Sequence, residues 1–331
     1  MAVLGSGSWG TALAVHLARE GHDVRLWGRN PALVDEIRAT GTNATYLSGV
    51  VLPANVALTH AVDRAVIGAD FVVCAVPTHG ARSVLRLAVP HIAESTILVS
   101  ATKGLEVETL LRMSEVIQQE ISRRPVVVLS GPSFAGEVAR ELPTAIVAAS
   151  SSADAAKAVQ EGFRGRAFRL YASDDVVGVE IGAALKNVIA IAAGVVEGLG
   201  LGHNALAALI TRGLAEISRL AGVLGARRDT LSGLAGLGDL VLTCTGNLSR
   251  NRHVGIELGR GRPLDQVLAE MKMVAEGVRT TTAALALGAR HGVELPIAAQ
   301  MAEVLAGRAH PAAAVERLML RPQRAEADGL V

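Results

Sequence analysis

The chain has 331 residues, with 32 lysines and arginines against 31 aspartates and glutamates and a formal net charge of +1. Balanced charge gives no general electrostatic attraction to nucleic acid or an anionic membrane, so any anion site must be local. The length exceeds one comfortable core and predicts two domains, while the two cysteines, Cys74 and Cys244, show neither metal-ligand spacing nor a disulfide partner, which fits a reducing cytoplasm.

The opening stretch over 2–18 imitates a signal peptide, but it lacks a basic leading region and is interrupted by Gly5, Gly7 and Gly10. From there, apolar runs alternate with helix-like segments: AVLG, HDVRLW, FVVCAVP at 71–77, TILVSATKG at 96–104, VVVLSGP at 126–132 and TAIVAAS at 144–150. That rhythm predicts an α/β fold with an N-terminal Rossmann-type, doubly wound, mainly parallel sheet. Runs such as 71–76 lack polar alternation, as strands buried on both faces should.

After about residue 175 the strands stop. Helical spacing continues over 176–198, 203–224, 250–259, 264–270, 277–291 and 297–305, which predicts an all-helical C-terminal domain. Ser173, Asp174 and Asp175 can cap its first helix, placing the boundary between a dinucleotide-binding domain, 1–174, and a helical substrate-binding and catalytic domain, 175–331. The apolar 176–196 stretch carries Glu180, Lys186 and Asn187 near its middle and reads as a buried helix of a soluble protein with no membrane insertion.

Gly5-Ser6-Gly7-Ser8-Trp9-Gly10 follows a short strand and opens a helix over 11–20, the context that a dinucleotide fingerprint requires. The first glycine permits a tight turn, the second lets backbone approach the pyrophosphate, and the third packs helix on strand. NAD-specific sites usually place an acidic residue at the end of the second strand. Here that strand ends in Trp27-Gly28-Arg29, where a guanidinium can pair with a 2′-phosphate. NADP(H) is the expected cofactor, with NAD(H) as the alternative if Arg29 is a solvated surface charge.

Lys186 has Gly182, Ala183, Ile189 and Ala190 three and four positions away, so no carboxylate within its helix can pair with it. Desolvation would make such a lysine lose its proton more easily than in water, as a general base requires; a lysine snorkelling from a helix edge would show the same pattern. Downstream, Leu234-Ala235-Gly236-Leu237-Gly238-Asp239 precedes Ser249-Arg250-Asn251-Arg252, which starts another helix. Hydroxyl, guanidinium and amide donors at a helix start form a phosphate site, or else a solvated helix end, and Asp239 alone could be a turn residue.

Taken together, Gly5 to Thr11, Ala101-Thr102-Lys103-Gly104-Leu105-Glu106, Ser130-Gly131-Pro132-Ser133-Phe134-Ala135, Leu185-Lys186-Asn187-Val188, Ala235 to Leu240 and Ser249 to Arg252 cover essentially the whole chain in order. In these motifs the sequence resembles the bacterial-type NAD(P)-dependent glycerol-3-phosphate dehydrogenases. The resemblance implies interconversion of sn-glycerol 3-phosphate and dihydroxyacetone phosphate, with Lys186 as the proton-transfer residue. It implies that Lys103 touches substrate and cofactor, that Gly5, Gly7, Ser8, Trp9, Gly10, Arg29, Tyr46 and Ala135 line the cofactor site, and that Gly131 and Ser133 contact substrate. Asp239, Ser249, Arg250 and Asn251 would hold the substrate, Arg250 reaching its phosphate and the cofactor. Val274 and Glu276 would be late cofactor contacts; Ala275 between them departs from the family's usual valine.

The resemblance further implies a cytoplasmic homodimer that supplies glycerophospholipid synthesis. No metal is expected, since lysine donors can stabilise the developing alkoxide. The rivals are another two-domain dehydrogenase, acting on 3-hydroxy acids or 6-phosphogluconate, and a cofactor sensor without turnover.

Overall fold

The structure is a computed structural model and describes residues 1–122, 124–271, 274–323 and 325. The chain forms two compact units, one of Met1–Lys103 with Arg112–Val176, the other of Gly104–Leu111 with the chain from Val177 onward.

The first unit begins β1 (Ala2–Leu4), α1 (Ser8–Arg19), β2 (Val24–Trp27), α2 (Pro31–Thr40), β3 (Thr42–Asn43), β4 (Leu47–Val51), β5 (Val56–Thr59) and α3 (Val62–Val66). It continues through β6 (Phe71–Cys74), α4 (Thr78–Ala88), β7 (Ile97–Ser100), α5 (Met113–Glu120), β8 (Val126–Ser130), α6 (Ala135–Ala139), β9 (Thr144–Ala149), α7 (Ala153–Phe163) and β10 (Phe168–Ser173). Eight strands lie in the order β10-β9-β8-β7-β6-β1-β2-β5, while β3 and β4 form a separate antiparallel pair. Every pairing in the large sheet is parallel except β8 with β9. From β1 the chain winds to one side through β2 and β5, then returns to pair β6 on the other, so the switch point lies between β1 and β6.

Register explains why the apolar runs needed no alternation. Leu26, Val3, Val73, Val99 and Val127 stand side by side across five strands. They are buried with Leu13 and Leu17 of α1 and Val159 and Phe163 of α7. Each such side chain contributes about 1.5–3 kcal/mol of hydrophobic stabilisation when fully buried. Two strands of the sheet have no counterpart among the expected runs, and both lie at its edges. In β10, Phe168 and Leu170 are buried while Arg169 and Tyr171 are exposed, and β5 is only partly buried. Partly buried edge strands carry too little apolar sequence to stand out.

The second unit is helical, as expected: α8 (Val176–Gly198), α9 (Gly202–Val223), α10 (Arg228–Ser232), α11 (Asp239–Thr245), α12 (Arg250–Gly259), α13 (Leu264–Glu270), α14 (Glu276–Arg290), α15 (Pro296–Leu305) and α16 (Pro311–Met319). A π-helical turn, Leu234–Gly238, runs directly into α11. By length and composition α8 could cross a membrane, but its most apolar window is 89% buried inside the protein. Its Ile181, Leu185 and Ile189 share a core with Ile217 of α9, Val254 of α12, Met301 of α15 and Leu105 of the 104–111 segment.

Helices α8 and α12 meet backbone to backbone. A Cβ on Gly194 would lie 2.0 Å from the carbonyl oxygen of Arg252, and one on Gly255 1.9 Å from that of Ile191, so only glycine fits either position. This approach brings the start of α12 beside the middle of α8, where Lys186 and Asn187 lie.

Candidate active site

At the end of β1, Gly5 has φ +119°, and a Cβ there would meet the carbonyl oxygen of Ala75, just past β6, at 2.8 Å. Glycine is therefore required for the turn to sit at the switch point. Gly7 caps α1 without a side chain, and no acidic residue stands in the first helical turn. Orphan N–H groups at such an end favour an anion. A Cβ on Gly7 would meet nothing within 4 Å, which leaves a cradle open beside the turn. The buried Trp9 Nε1 has no hydrogen-bond partner among the described residues. These features fit a dinucleotide pyrophosphate.

Arg29 is exposed just beyond β2, at the N-terminal side of α2, whose first turn Asn30 caps by accepting from Ala32 N at 3.1 Å. Tyr46 lies between β3 and β4, its N–H donating to Asn43 Oδ1 at 3.2 Å. Lys103 Nζ donates to the carbonyl oxygen of Gly131 at 3.0 Å and to Ser133 Oγ at 3.4 Å, so these three expected substrate contacts form one group. Ala135 heads α6 and packs with Ala12 and Val15 of α1.

The second unit gathers its own set. Lys186 Nζ lies 2.5 Å from Asp239 Oδ1, with the two side chains only 7% and 1% exposed. Nζ also donates to Thr243 Oγ1 at 3.0 Å, and that hydroxyl donates to the carbonyl oxygen of Asp239 at 2.6 Å. No carboxylate of its own helix pairs with Lys186, as the sequence implied, but one from another helix does. The carboxylate comes from α11, entering after the π turn, and it favours the ammonium that burial disfavours. Nearby, burial pushes the Cys244 thiol up to about 12, so it stays protonated and is no nucleophile.

Ser249 caps α12, its Oγ accepting from Arg252 N at 3.2 Å. Asn251 donates to Asn187 Oδ1 at 3.0 Å and accepts from Gly277 N at 2.9 Å, which joins α8, α12 and the start of α14. Glu276 stands in the first turn of α14. Arg250 Nη1 donates to the carbonyl oxygen of Val274 at 2.9 Å, so both late-segment residues lie by the start of α12. Arg252 pairs with Glu197 of α8 and donates to Asn247 Oδ1, a structural tie rather than a solvated charge.

Three side chains of these groups were not singled out from sequence. Thr243 follows Asp239 by one helical turn on the same face, a spacing that could have revealed it. Asn187, beside Lys186, holds Asn251, and Asn43 lies three residues before Tyr46; only tertiary contacts show what either does.

A glycine turn at the switch point of a doubly wound sheet places the chain among the Rossmann-type dinucleotide-binding proteins. Residues 1–156 match the NAD-dependent glycerol-3-phosphate dehydrogenase N-terminus, and residues 175–316 match the C-terminus of the same family. The chain is 53% identical to the glycerol-3-phosphate dehydrogenase (NAD(P)+) of Acidobacterium capsulatum, over 98% of this chain and 99% of the relative. It is 52% identical to that of Koribacter versatilis, over 98% of each. A crystal structure of glycerol-3-phosphate dehydrogenase from Coxiella burnetii superposes with a TM-score of 0.93 at 42% identity, covering 96% of this chain and 98% of that one. The chain belongs to the NAD-dependent glycerol-3-phosphate dehydrogenase family and is an NAD(P)-dependent oxidoreductase of glycerol 3-phosphate. A ketopantoate reductase from Ralstonia eutropha, at 17% identity and a TM-score of 0.60, shares the fold alone.

Proposed function

We propose that Lys186 is the acid and base of this enzyme, and the observation that carries the reading is its buried pair with Asp239, steadied by Thr243. Reduction of the ketone of dihydroxyacetone phosphate needs a proton at the carbonyl oxygen as hydride arrives at carbon. The reduced nicotinamide, when bound, supplies the hydride. Lys186 Nζ donates the proton, and in the reverse direction it takes the proton of the C2 hydroxyl; proton transfer of this kind contributes about 10² to 10⁴-fold. Asp239 favours the ammonium, the form that donates the proton in ketone reduction.

Ser249, Arg250 and Asn251, at the start of α12, hold the substrate phosphate, where the guanidinium fork and the helix end both favour an anion. Binding energy from that remote group helps position the reacting carbon. Lys103, Gly131 and Ser133 add contacts to substrate. Residues 1–174 carry the dinucleotide on Gly5, Gly7, Ser8, Trp9, Gly10, Tyr46 and Ala135. Val274, Glu276 and Arg250 contribute from 175–331. Arg29 pairs with the 2′-phosphate, so NADPH is preferred. The enzyme works as a cytoplasmic homodimer that makes glycerol 3-phosphate for phospholipids.

The test follows NADPH and NADH consumption with dihydroxyacetone phosphate. Turnover should be faster with NADPH, and Arg29→Ala should lower kcat/KM for NADPH on the order of ten-fold while leaving NADH unaffected. Unchanged turnover in Lys186→Met would defeat the mechanism. Sedimentation as a monomer at micromolar concentration would defeat the dimer.

A further inference from the structure

Asn43 ends the short strand β3 and is fully buried. Its Nδ2 donates to the carbonyl oxygen of Ser6 at 2.9 Å and to Thr11 Oγ1 at 2.9 Å, while its Oδ1 accepts from Tyr46 N. One side chain thus ties three segments: the glycine turn, the first turn of α1, and the loop that carries Tyr46. The β3–β4 pair is itself seated on α1, since Leu47 and Val50 pack against Ala12 and Val15.

The contact with Ser6 has a particular consequence. In a trans peptide the C=O and the N–H point to opposite edges of one plane. Holding the Ser6 carbonyl inward on Asn43 therefore turns the Gly7 N–H outward. That N–H has no hydrogen-bond partner among the described residues, and a Cβ on Gly7 would meet nothing within 4 Å, so the turn is open there. Gly7, on one side of this peptide, tolerates dihedrals that other residues avoid, so the backbone itself offers little resistance to a rotation that would present the carbonyl oxygen to an incoming phosphate. A carbonyl there repels the anion that an N–H attracts.

We propose that Asn43 is a positioning residue for the cofactor: it presets the Ser6–Gly7 peptide with its N–H toward the pyrophosphate and fixes Tyr46 beside it. The proposal rests on the glycine turn being the dinucleotide site. Its energetic logic is preorganisation, because the peptide is oriented by a buried side chain before the ligand arrives.

The test titrates the ligand-free protein with NADPH and reads quenching of the two tryptophans, one of which, Trp9, lies in the first turn of α1 beside the glycine turn. KM for NADPH, KM for dihydroxyacetone phosphate and Tm are measured beside it. Asn43→Asp keeps the shape but sets a carboxylate against the Ser6 carbonyl. Kd for NADPH should rise about ten-fold or more, with KM for NADPH following and KM for dihydroxyacetone phosphate within about two-fold. Thr11→Val removes one acceptor at constant volume and should give a smaller rise; Thr11→Ser should restore wild-type binding. A purely structural role would lower Tm in these variants without separating the two KM values. Should Asn43→Asp fail to fold, Thr11→Val against Thr11→Ser carries the test, and equal NADPH binding by that pair would overturn the proposal. Gly7→Asp, which has room for its side chain, separates the two levels. Normal NADPH binding by Gly7→Asp removes the turn as the site, whereas loss there with unaltered binding in Asn43→Asp removes only the role of Asn43.

Discussion

In the proposed mechanism Lys186 acts as an acid only while it carries its proton, and the carboxylate placed to favour that form is Asp239, with Oδ1 2.5 Å from Nζ. Removing that charge while keeping the shape should lower kcat for ketone reduction on the order of 10²-fold in Asp239→Asn. It should also move the alkaline limb of the kcat profile to lower pH, because the ammonium has lost its counter-charge. A limb that stays in place would assign the proton affinity to another group. Glu216 of α9 offers a second titration. It accepts from the backbone N–H groups of Ile297 and Ala298 at 2.9 and 3.0 Å, yet burial outweighs those donors and pushes its carboxyl up from 4.5 to about 7. The folded state thus holds this proton more tightly than the unfolded chain does. The stabilisation is complete below about pH 4.5 and is lost as pH rises through about 7, by roughly 3 kcal/mol. Thermal unfolding of Glu216→Gln against the wild type should show a gap that moves in favour of the variant between pH 5 and 8. A gap independent of pH would mean that Glu216 does not titrate there. Lys186 was legible in the sequence as a candidate, but its charge partner was not, since that pairing depends on how α11 packs on α8 and leaves no local mark.

Between whole elements, the contact of α8 with α12 is the most demanding, for it admits no side chain at Gly194 or Gly255. Gly255→Ala should destabilise by roughly 1–3 kcal/mol, as overpacking does. It should also weaken substrate binding through the displaced start of α12, both read from a urea titration and KM for dihydroxyacetone phosphate. Gly222→Ala, near the end of α9, meets nothing within 4 Å and should instead stabilise by about 0.5–1 kcal/mol. If both changes shift the urea midpoint alike, helix propensity and not close approach governs these glycines. The long helices and the inner strands could be read directly from hydrophobic period. The π turn before Asp239 could not, because Leu234 to Gly238 reads as a loop of small residues until the helices around it are in place. Edge strands β5 and β10 escaped because β10 alternates buried and exposed residues and β5 is only partly buried, so neither shows a continuous apolar run.

On the scale of the molecule, cofactor and stability are linked. NADPH bound only to the folded protein at a hundred times its Kd should add about 2.7 kcal/mol, seen as a rise in Tm that Gly7→Asp abolishes. An unchanged Tm with wild-type protein would contradict binding to the native state. The path of the chain adds a different consequence. Gly104–Leu111 leaves the sheet-bearing unit and contributes Leu105, 1% exposed, to the helical core before the chain returns at Arg112. The polypeptide therefore changes unit three times, and no single cut separates two complete pieces. A fragment ending at residue 174 would carry a greasy strap with nowhere to bury it, and the remainder would be left with a hole where Leu105 belongs. Gene shuffling between relatives meets the same obstacle: one crossover near residue 175 splits the helical core between two parents, whereas crossovers placed together at 103/104, 111/112 and 176/177 keep it whole.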